Sequence, residues 1–168
     1  MEIQVRDIPA GGIAIAVNEN ADQFDPNIIE GELAGSFTLS RSGDSVRIGG
    51  ILRASLQLLC GRCLEEFPRS LHIPVRVAFE KEAGDDGLIE GDPETNDYDV
   101  SFYQGESINL TDLAREELLL NLPMSFLCTD GCLGLCPRCG NNQNRLRCAC
   151  DLDDGDPRWA PLKKFLKR

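Results

Sequence analysis

The sequence predicts an α+β fold: a mainly antiparallel sheet with one packed helix, then a C-terminal cysteine-rich module and a short terminal helix. Apolar and polar side chains alternate over three consecutive segments between residues 33 and 80, which is the period of half-buried strands. Residues 107–123 instead place apolar side chains at helical spacing. Six of the eight cysteines lie between residues 128 and 150, a density that indicates a module held together by metal.

The length and composition favour one core with a small appended module. A chain of 168 residues with 42% hydrophobic content can bury one core of ordinary size. We therefore expect a body over 1–127 and a cysteine-rich module over 128–168. The N-terminus lacks a basic segment followed by a long apolar run, and the weakly apolar Gly11–Val17 is too short to cross a bilayer. These features predict a cytoplasmic protein without a membrane partner.

The first strands are short and the next ones long. Residues 2–8 predict a short strand and Ile13–Val17 a weak second one. Leu33–Ser40 alternates clearly, and the turn residues of Ser40–Ser45 lead into a long strand. The inward face of this long strand is predicted to consist of Val46, Ile48, Gly50, Leu52, Ala54, Leu56 and Leu58.

The third clear strand follows the Cys60–Cys63 turn and completes an antiparallel meander, which is compatible with barrel-like closure. It places Leu71, Ile73, Val75, Val77 and Phe79 on one side. Pro74 has no N–H group to donate, so this strand should lie at a sheet edge or contain a bulge.

The remaining elements are a loop, a strand and two helices. Residues 81–97 are acidic and rich in turn residues, and they predict a mobile loop. Asp97–Tyr103 predicts a strand, and Ser107 opens a helix capped by Asn109 or Thr111 and ended by Pro123. A terminal helix begins at Asp156 and Pro157 and contains Trp159, which either anchors the helix or stacks on RNA.

All eight cysteines fall into closely spaced pairs, as zinc ligands do. The pairs are Cys60/Cys63, Cys128/Cys132, Cys136/Cys139 and Cys148/Cys150. In the reduced cytosol such pairs indicate metal binding more often than disulfides or redox chemistry. Two structural Zn²⁺ sites of four cysteines are therefore expected.

The grouping of the pairs has two solutions. The preferred one joins Cys60, Cys63, Cys128 and Cys132 as site one and Cys136, Cys139, Cys148 and Cys150 as site two, a zinc-ribbon-like module, because each site then has one Cys-x2-Cys knuckle. The alternative joins Cys128 and Cys132 to Cys136 and Cys139. The 64 residues between Cys63 and Cys128 are no obstacle, since loop closure becomes only slowly more costly with length.

The charge is unevenly distributed along the chain. The net charge is −11, but residues 1–127 carry 9 Lys+Arg against 23 Asp+Glu, whereas residues 128–168 carry 8 against 5. A negative body should repel phosphate backbones and favour a basic protein partner. Contact with RNA is instead expected from the basic residues of the module and tail: Arg138, Arg145, Arg147, Lys163, Lys164, Lys167 and Arg168.

No catalytic residues are identified. His72 is the only histidine, and it falls on the polar face of a strand. A zinc ion held by four thiolates has no position for a reacting water. The sequence also lacks a phosphate-binding glycine loop and a nucleophile elbow. We expect neither an enzyme nor a small-molecule substrate.

Several motifs in order resemble the bacterial YceD family, once described as a domain of unknown function. They are Cys60-Gly-Arg-Cys63-Leu-Glu-Glu, Ile108-Asn-Leu with a helix ending at Leu122-Pro123, Cys132-Leu-Gly-Leu-Cys136-Pro-Arg-Cys139-Gly, Cys148-Ala-Cys150 and Asp156-Pro-Arg158. The resemblance covers roughly residue 33 to the C-terminus. Gly140-Asn-Asn-Gln-Asn departs from the Gly-x-x-Leu-Asn that is more usual, so no role is assigned to these asparagines.

The resemblance implies a cytoplasmic ribosome-biogenesis factor needed for accumulation of large-subunit rRNA, and hence for large-subunit assembly. Together with the charge distribution, it leads us to expect contact with the large-subunit precursor through a basic protein and, at the module or tail, through rRNA. It also supports the preferred cysteine grouping, because some relatives keep the first Cys-x2-Cys and lack the Cys-Leu-Gly-Leu-Cys block. Two other functions remain open from the residues: a zinc-ribbon regulator that binds DNA, and a thiol-redox protein using Cys-x2-Cys.

Overall fold

Residues 1–82 and 98–150 are described by the structure, a computed structural model of the chain. The main sheet has the strand order β2-β3-β4-β5-β6. Its strands are β2 (Ile13–Asn20), β3 (Ile28–Ser42), β4 (Ser45–Leu59), β5 (Glu66–Lys81) and β6 (Asp99–Tyr103). A small second sheet pairs β1 (Glu2–Gln4) with β7 (Ser107–Asn109). The helix α1 covers Leu110–Asn121, and two 3-10 turns cover Val5–Asp7 and Ala21–Gln23.

The meander is confirmed from β2 to β5, where every neighbouring pair is antiparallel. β6 adds a parallel strand that aligns Val77 with Asp99, so the sheet is mixed. The barrel-like closure considered above is wrong for the described strands: β2 and β6 remain the two edges of an open sheet. The five residues of β6 cover only the end of β5, too little to close the sheet.

Strand alternation places the core of the sheet as expected. On β4 the residues predicted to face inward are buried except the half-buried Gly50. On β5 Ile73, Val75, Val77 and Phe79 are buried, whereas Leu71 is half-buried. Pro74 is also accounted for. β6 pairs with β5 only from Val77 onward, so at Pro74 the only strand neighbour among the described residues is β4.

The helix is confirmed, but it begins later than Ser107. Residues Ser107–Asn109 form β7, and Ile108 pairs with Ile3. Asn109 is the N-cap, since its side chain accepts a hydrogen bond of 3.0 Å from the Thr111 backbone N–H. An N-cap residue has extended backbone angles, so a strand can lead directly into a helix at this position.

The chain divides into two units. The first comprises Met1–Leu59 and Glu66–Met124, and the described part of the second comprises Cys60–Glu65 and residues 125–150. Within those second-unit residues the only strand-like pairing is a bridge between Leu135 and Asn142. The division at residues 127 and 128 stays a prediction. Most of the acidic loop and the whole terminal helix fall outside the described residues.

No helix in the described ranges has both the length and the apolar character needed to cross a membrane.

Candidate metal centres

The connection between β4 and β5 is a tight turn that presents two thiols. The backbone N–H of Leu64 donates to the carbonyl of Cys60, and the Cys60 N–H donates to the carbonyl of Glu65, both at 2.9 Å. Leu64 has a φ of 56°, an uncommon conformation for a branched apolar residue. This turn buries both Cys60 and Cys63.

The first centre contains Cys60, Cys63, Cys128 and Cys132. Their four sulfurs lie within 4.8 Å of one another. The Sγ atoms of Cys60 and Cys132 are 3.8 Å apart, and those of Cys63 and Cys128 are 3.7 Å apart. A tetrahedral Zn²⁺ with Zn–S bonds of about 2.3 Å separates its sulfurs by about 3.8 Å, whereas a disulfide needs about 2.05 Å. The residues therefore fit a four-thiolate metal centre, and their role as ligands stays a prediction.

Hydrogen bonds from the surrounding chain stabilise thiolates in this centre. The Cys128 N–H donates to Cys60 Sγ at 3.4 Å, and Asn144 Nδ2 donates to Cys132 Sγ at 3.3 Å. Arg62 Nη1 donates to the carbonyl of Cys132 at 2.9 Å. These donors fix the orientation of the sulfurs, as the outer contacts of metal ligands usually do.

The pKa values in the first centre diverge because four thiols share a small volume. Burial raises the pKa of the Cys60 thiol, but the backbone N–H groups of Cys63, Cys128 and Arg62 outweigh it and lower the pKa to about 6. Burial raises the pKa of the Cys63 thiol to about 12, and the neighbouring sulfurs add to the increase. Four such thiols can all ionise only if a cation compensates their charge, as a bound divalent metal would.

The second centre contains Cys136, Cys139, Cys148 and Cys150, whose sulfurs also lie within 4.8 Å of one another. The Gly140 N–H donates to the carbonyl of Cys136 at 2.9 Å, and the φ of 72° at Gly140 closes a knuckle. Cys136 is buried, Cys139 is exposed, and Cys148 and Cys150 are half-buried. This centre is thus more accessible to solvent than the first one.

The pKa pattern in the second centre parallels that in the first. The backbone N–H groups of Cys139 and Arg138 lower the pKa of the Cys136 thiol to about 6. The sulfurs of Cys139 and Cys148 raise the pKa of the Cys150 thiol to about 12. As in the first centre, N–H donors favour the ionised form of one buried thiol. The neighbouring thiols can ionise as well only if a cation compensates their charge.

Asn144 takes part in the first centre although no role was assigned to it from the sequence. Its Oδ1 accepts a hydrogen bond from the Leu133 N–H at 2.8 Å, while its Nδ2 reaches Cys132 Sγ and Asn142 Oδ1. The only sequence signal is the recurrence of asparagines after Gly140, typical of turns in which side chains bond the backbone.

The residues proposed for partner contact have different surroundings. Arg145 forms an ion pair with Glu65, with 2.7 Å between Nε and Oε1, and Arg147 is exposed. Arg138 is exposed beside the second centre. The tail lysines and Arg168 fall outside the described residues, as does Trp159. His72 is exposed on β5.

Comparisons with known proteins match most of the chain. The family model described as "Large ribosomal RNA subunit accumulation protein YceD" matches residues 48–166. The chain is 24% identical over 148 residues to "Large ribosomal RNA subunit accumulation protein YCED homolog 1, chloroplastic" of Arabidopsis thaliana, covering 76% of this chain and 46% of that protein. It is 29% identical over 118 residues to "Uncharacterized protein YlbN" of Bacillus subtilis (strain 168), covering 70% of this chain and 64% of that protein. The chain therefore spans about half of the plant relative and less than two thirds of the bacterial one. No solved structure matches significantly.

Proposed function

Because this chain belongs to the YceD family, we propose that it supports accumulation of large-subunit ribosomal RNA by acting in large-subunit assembly. The observation that carries this proposal is the family match over residues 48–166. The name of the plant relative points the same way. The protein would act in the cytoplasm, where its thiols stay reduced.

The metal centres would hold the second unit in shape rather than perform chemistry. Two sets of four sulfurs, each within 4.8 Å, suit two structural Zn²⁺ ions. When four thiolates fill the coordination sphere, no position remains for water or substrate. His72 is exposed on β5. We therefore assign the chain no enzymatic role.

The partners would be a basic protein and ribosomal RNA within the large-subunit precursor. The chain carries 28 acidic residues against 17 basic ones, which favours contact with a basic protein. RNA contact would involve the exposed Arg138 and Arg147 together with the basic residues of the tail.

Gradient sedimentation of a cell extract containing the tagged full chain tests the proposed function. The chain should co-sediment with large-subunit precursors, and its depletion should lower large-subunit rRNA relative to small-subunit rRNA. Re-expression of the chain should restore the ratio. If the protein stays at the top of the gradient, and depletion leaves both rRNAs unchanged, the proposed function is wrong.

A further inference from the structure

One side of the main sheet faces away from the core of the first unit and is largely exposed. Its central rows run across β4, β5 and β6: Arg47 beside Ala78 and Val100, Gly49 beside Arg76, Ile51 beside Pro74, and Arg53 beside His72. The first of these rows is partly covered, since Ala78 is fully buried and Arg47 half-buried, whereas Ile51, Arg53 and Arg76 in the other rows are exposed. On β3 and β2 the same rows continue with the small or polar residues Ser40, Thr38, Ser36, Ala34, Ala14, Ala16 and Asn18. We call these four rows the open sheet face.

The open sheet face is locally positive in an acidic chain. It contains the exposed Arg53 and Arg76 and the half-buried Arg47 but no carboxylate, although the chain as a whole has a net charge of −11. Among the strand residues that the structure describes, the nearest outward carboxylates are one row beyond its two ends, at Glu32 and Glu80. Within the described residues, no ion pair or hydrogen bond uses the guanidinium groups of Arg53 and Arg76.

Exposed apolar side chains lie among these cations. Ile51 is 47% exposed and Val100 49%, and Phe102, one row further along β6, is 51% exposed. Bases stack on aromatic rings and on guanidinium planes. Phe102 lies opposite Glu80 at one end of the face, and Arg53 and Arg76 lie further along it. The small side chains of β2 and β3 leave the rest of the face flat, so a chain of nucleotides can approach it closely.

We propose that the open sheet face binds single-stranded RNA, with Arg53 and Arg76 contacting phosphates and Phe102 stacking on a base. Its four rows extend about 20 Å along the strands, which is enough for a short run of nucleotides. The identification of the ligand as RNA rests on the proposed function. The open sheet face is identified as a binding surface by its charge and its exposed apolar groups. This assignment revises the expectation that the acidic body repels RNA. Charges separated by more than about 8 Å are largely screened at physiological ionic strength. The binding of a phosphate to this face therefore depends on the nearby arginines rather than on the net charge of the chain.

Fluorescence anisotropy of a labelled single-stranded RNA of about 12 nucleotides with the full chain tests the proposal over a range of salt concentrations. The double variant Arg53→Gln/Arg76→Gln should bind at least about tenfold more weakly. Its slope of log K against log salt should be shallower by about 1.4, since each lost phosphate contact contributes about 0.7. Phe102→Ala should weaken binding about fivefold or more, because it removes stacking, and should leave the salt slope unchanged.

The matched control is Arg69→Gln/Arg115→Gln, which removes the same charge from two exposed arginines outside the open sheet face. It should bind almost as the wild type does, and all variants should unfold at the same temperature. Equal affinities for the two double variants would overturn the proposal. So would arginine-dependent binding of polyglutamate with no binding of RNA, which would identify an acidic polypeptide as the occupant.

Failure of this inference and failure of the proposed function give different results. If the wild-type chain co-sediments with large-subunit precursors but its affinity for RNA does not depend on Arg53 and Arg76, only the inference is overturned. Arginine-dependent RNA binding by a chain whose depletion leaves large-subunit rRNA unchanged supports the inference and overturns the proposed function.

Discussion

At the scale of single residues, Asn144 shows what sequence spacing can and cannot predict about the first centre. Pairs of cysteines two to four residues apart are visible in the sequence because one local turn presents both sulfurs. The hydrogen bond from Asn144 to Cys132 Sγ depends instead on how residues 140–145 fold back, and no local pattern predicts that.

Replacing Asn144 with alanine should weaken metal binding at the first centre by about 10–100-fold, the usual effect of losing an outer partner of a ligand. The variant loses the donor to Cys132 Sγ and the acceptor for the Leu133 N–H. Competition with a chromophoric chelator would measure this change. Asn141→Ala is the control, because Asn141 is exposed and, among the described residues, its one hydrogen bond is from the Cys136 N–H to its backbone carbonyl, which alanine keeps. Equal metal release from both variants would exclude this role for Asn144.

The presence of two separate metal centres can be tested by counting zinc in single-cysteine variants. The wild-type chain should purify with two zinc ions, and Cys63→Ser and Cys136→Ser should each retain one, because a serine hydroxyl is a poor substitute for a thiolate. Metal analysis after anaerobic purification gives the count. Loss of one ion in each variant, from different centres, fits the two sets of four sulfurs. A single ion in the wild type would contradict it.

At the scale of elements, the long strands could be predicted from the sequence, whereas the direction of β6 and the presence of β7 could not. β3, β4 and β5 alternate over many residues, so their inward faces follow from the sequence alone. β6 runs parallel to β5, but the connection between them contains acidic and turn residues that carry no signal for direction. β7 is missed because its three residues end at the N-cap Asn109 and so resemble the helix start itself.

Two adjacent glycines in β4 should respond oppositely to alanine. A Cβ at Gly50 would lie 2.1 Å from the Ser36 carbonyl oxygen and 2.9 Å from Phe37 Cα, so β3 and β4 would have to move apart. A Cβ at Gly49 meets nothing within 4 Å. Urea unfolding should show Gly50→Ala destabilised by about 2 kcal/mol or more. Gly49→Ala should be unchanged or up to about 1 kcal/mol more stable. Similar stabilities for the two variants would contradict this close approach of the strands.

At the scale of the whole molecule, the two units differ in what stabilises them. The first unit buries large aliphatic and aromatic side chains on β3, β4, β5 and α1. In the second unit the buried side chains among the described residues are four cysteines: Cys60, Cys63, Cys132 and Cys136. We therefore expect the second unit to require bound metal for its folding free energy, whereas burial of apolar surface stabilises the first unit.

Chelation should therefore unfold the two units separately. With excess chelator, amides of Cys60–Glu65 and residues 125–150 should lose protection from hydrogen exchange, because metal binding and folding are coupled in a unit that lacks an apolar core. Amides in the centres of β3, β4 and β5 should keep their slow exchange, because the apolar core around them contains no metal ligand. Hydrogen exchange measured by mass spectrometry, with and without chelator, gives both results in one experiment, and added zinc should restore the lost protection. If the strand centres lost protection together with the cysteine segments, the metals would stabilise the whole chain and the independence of the first unit would be refuted.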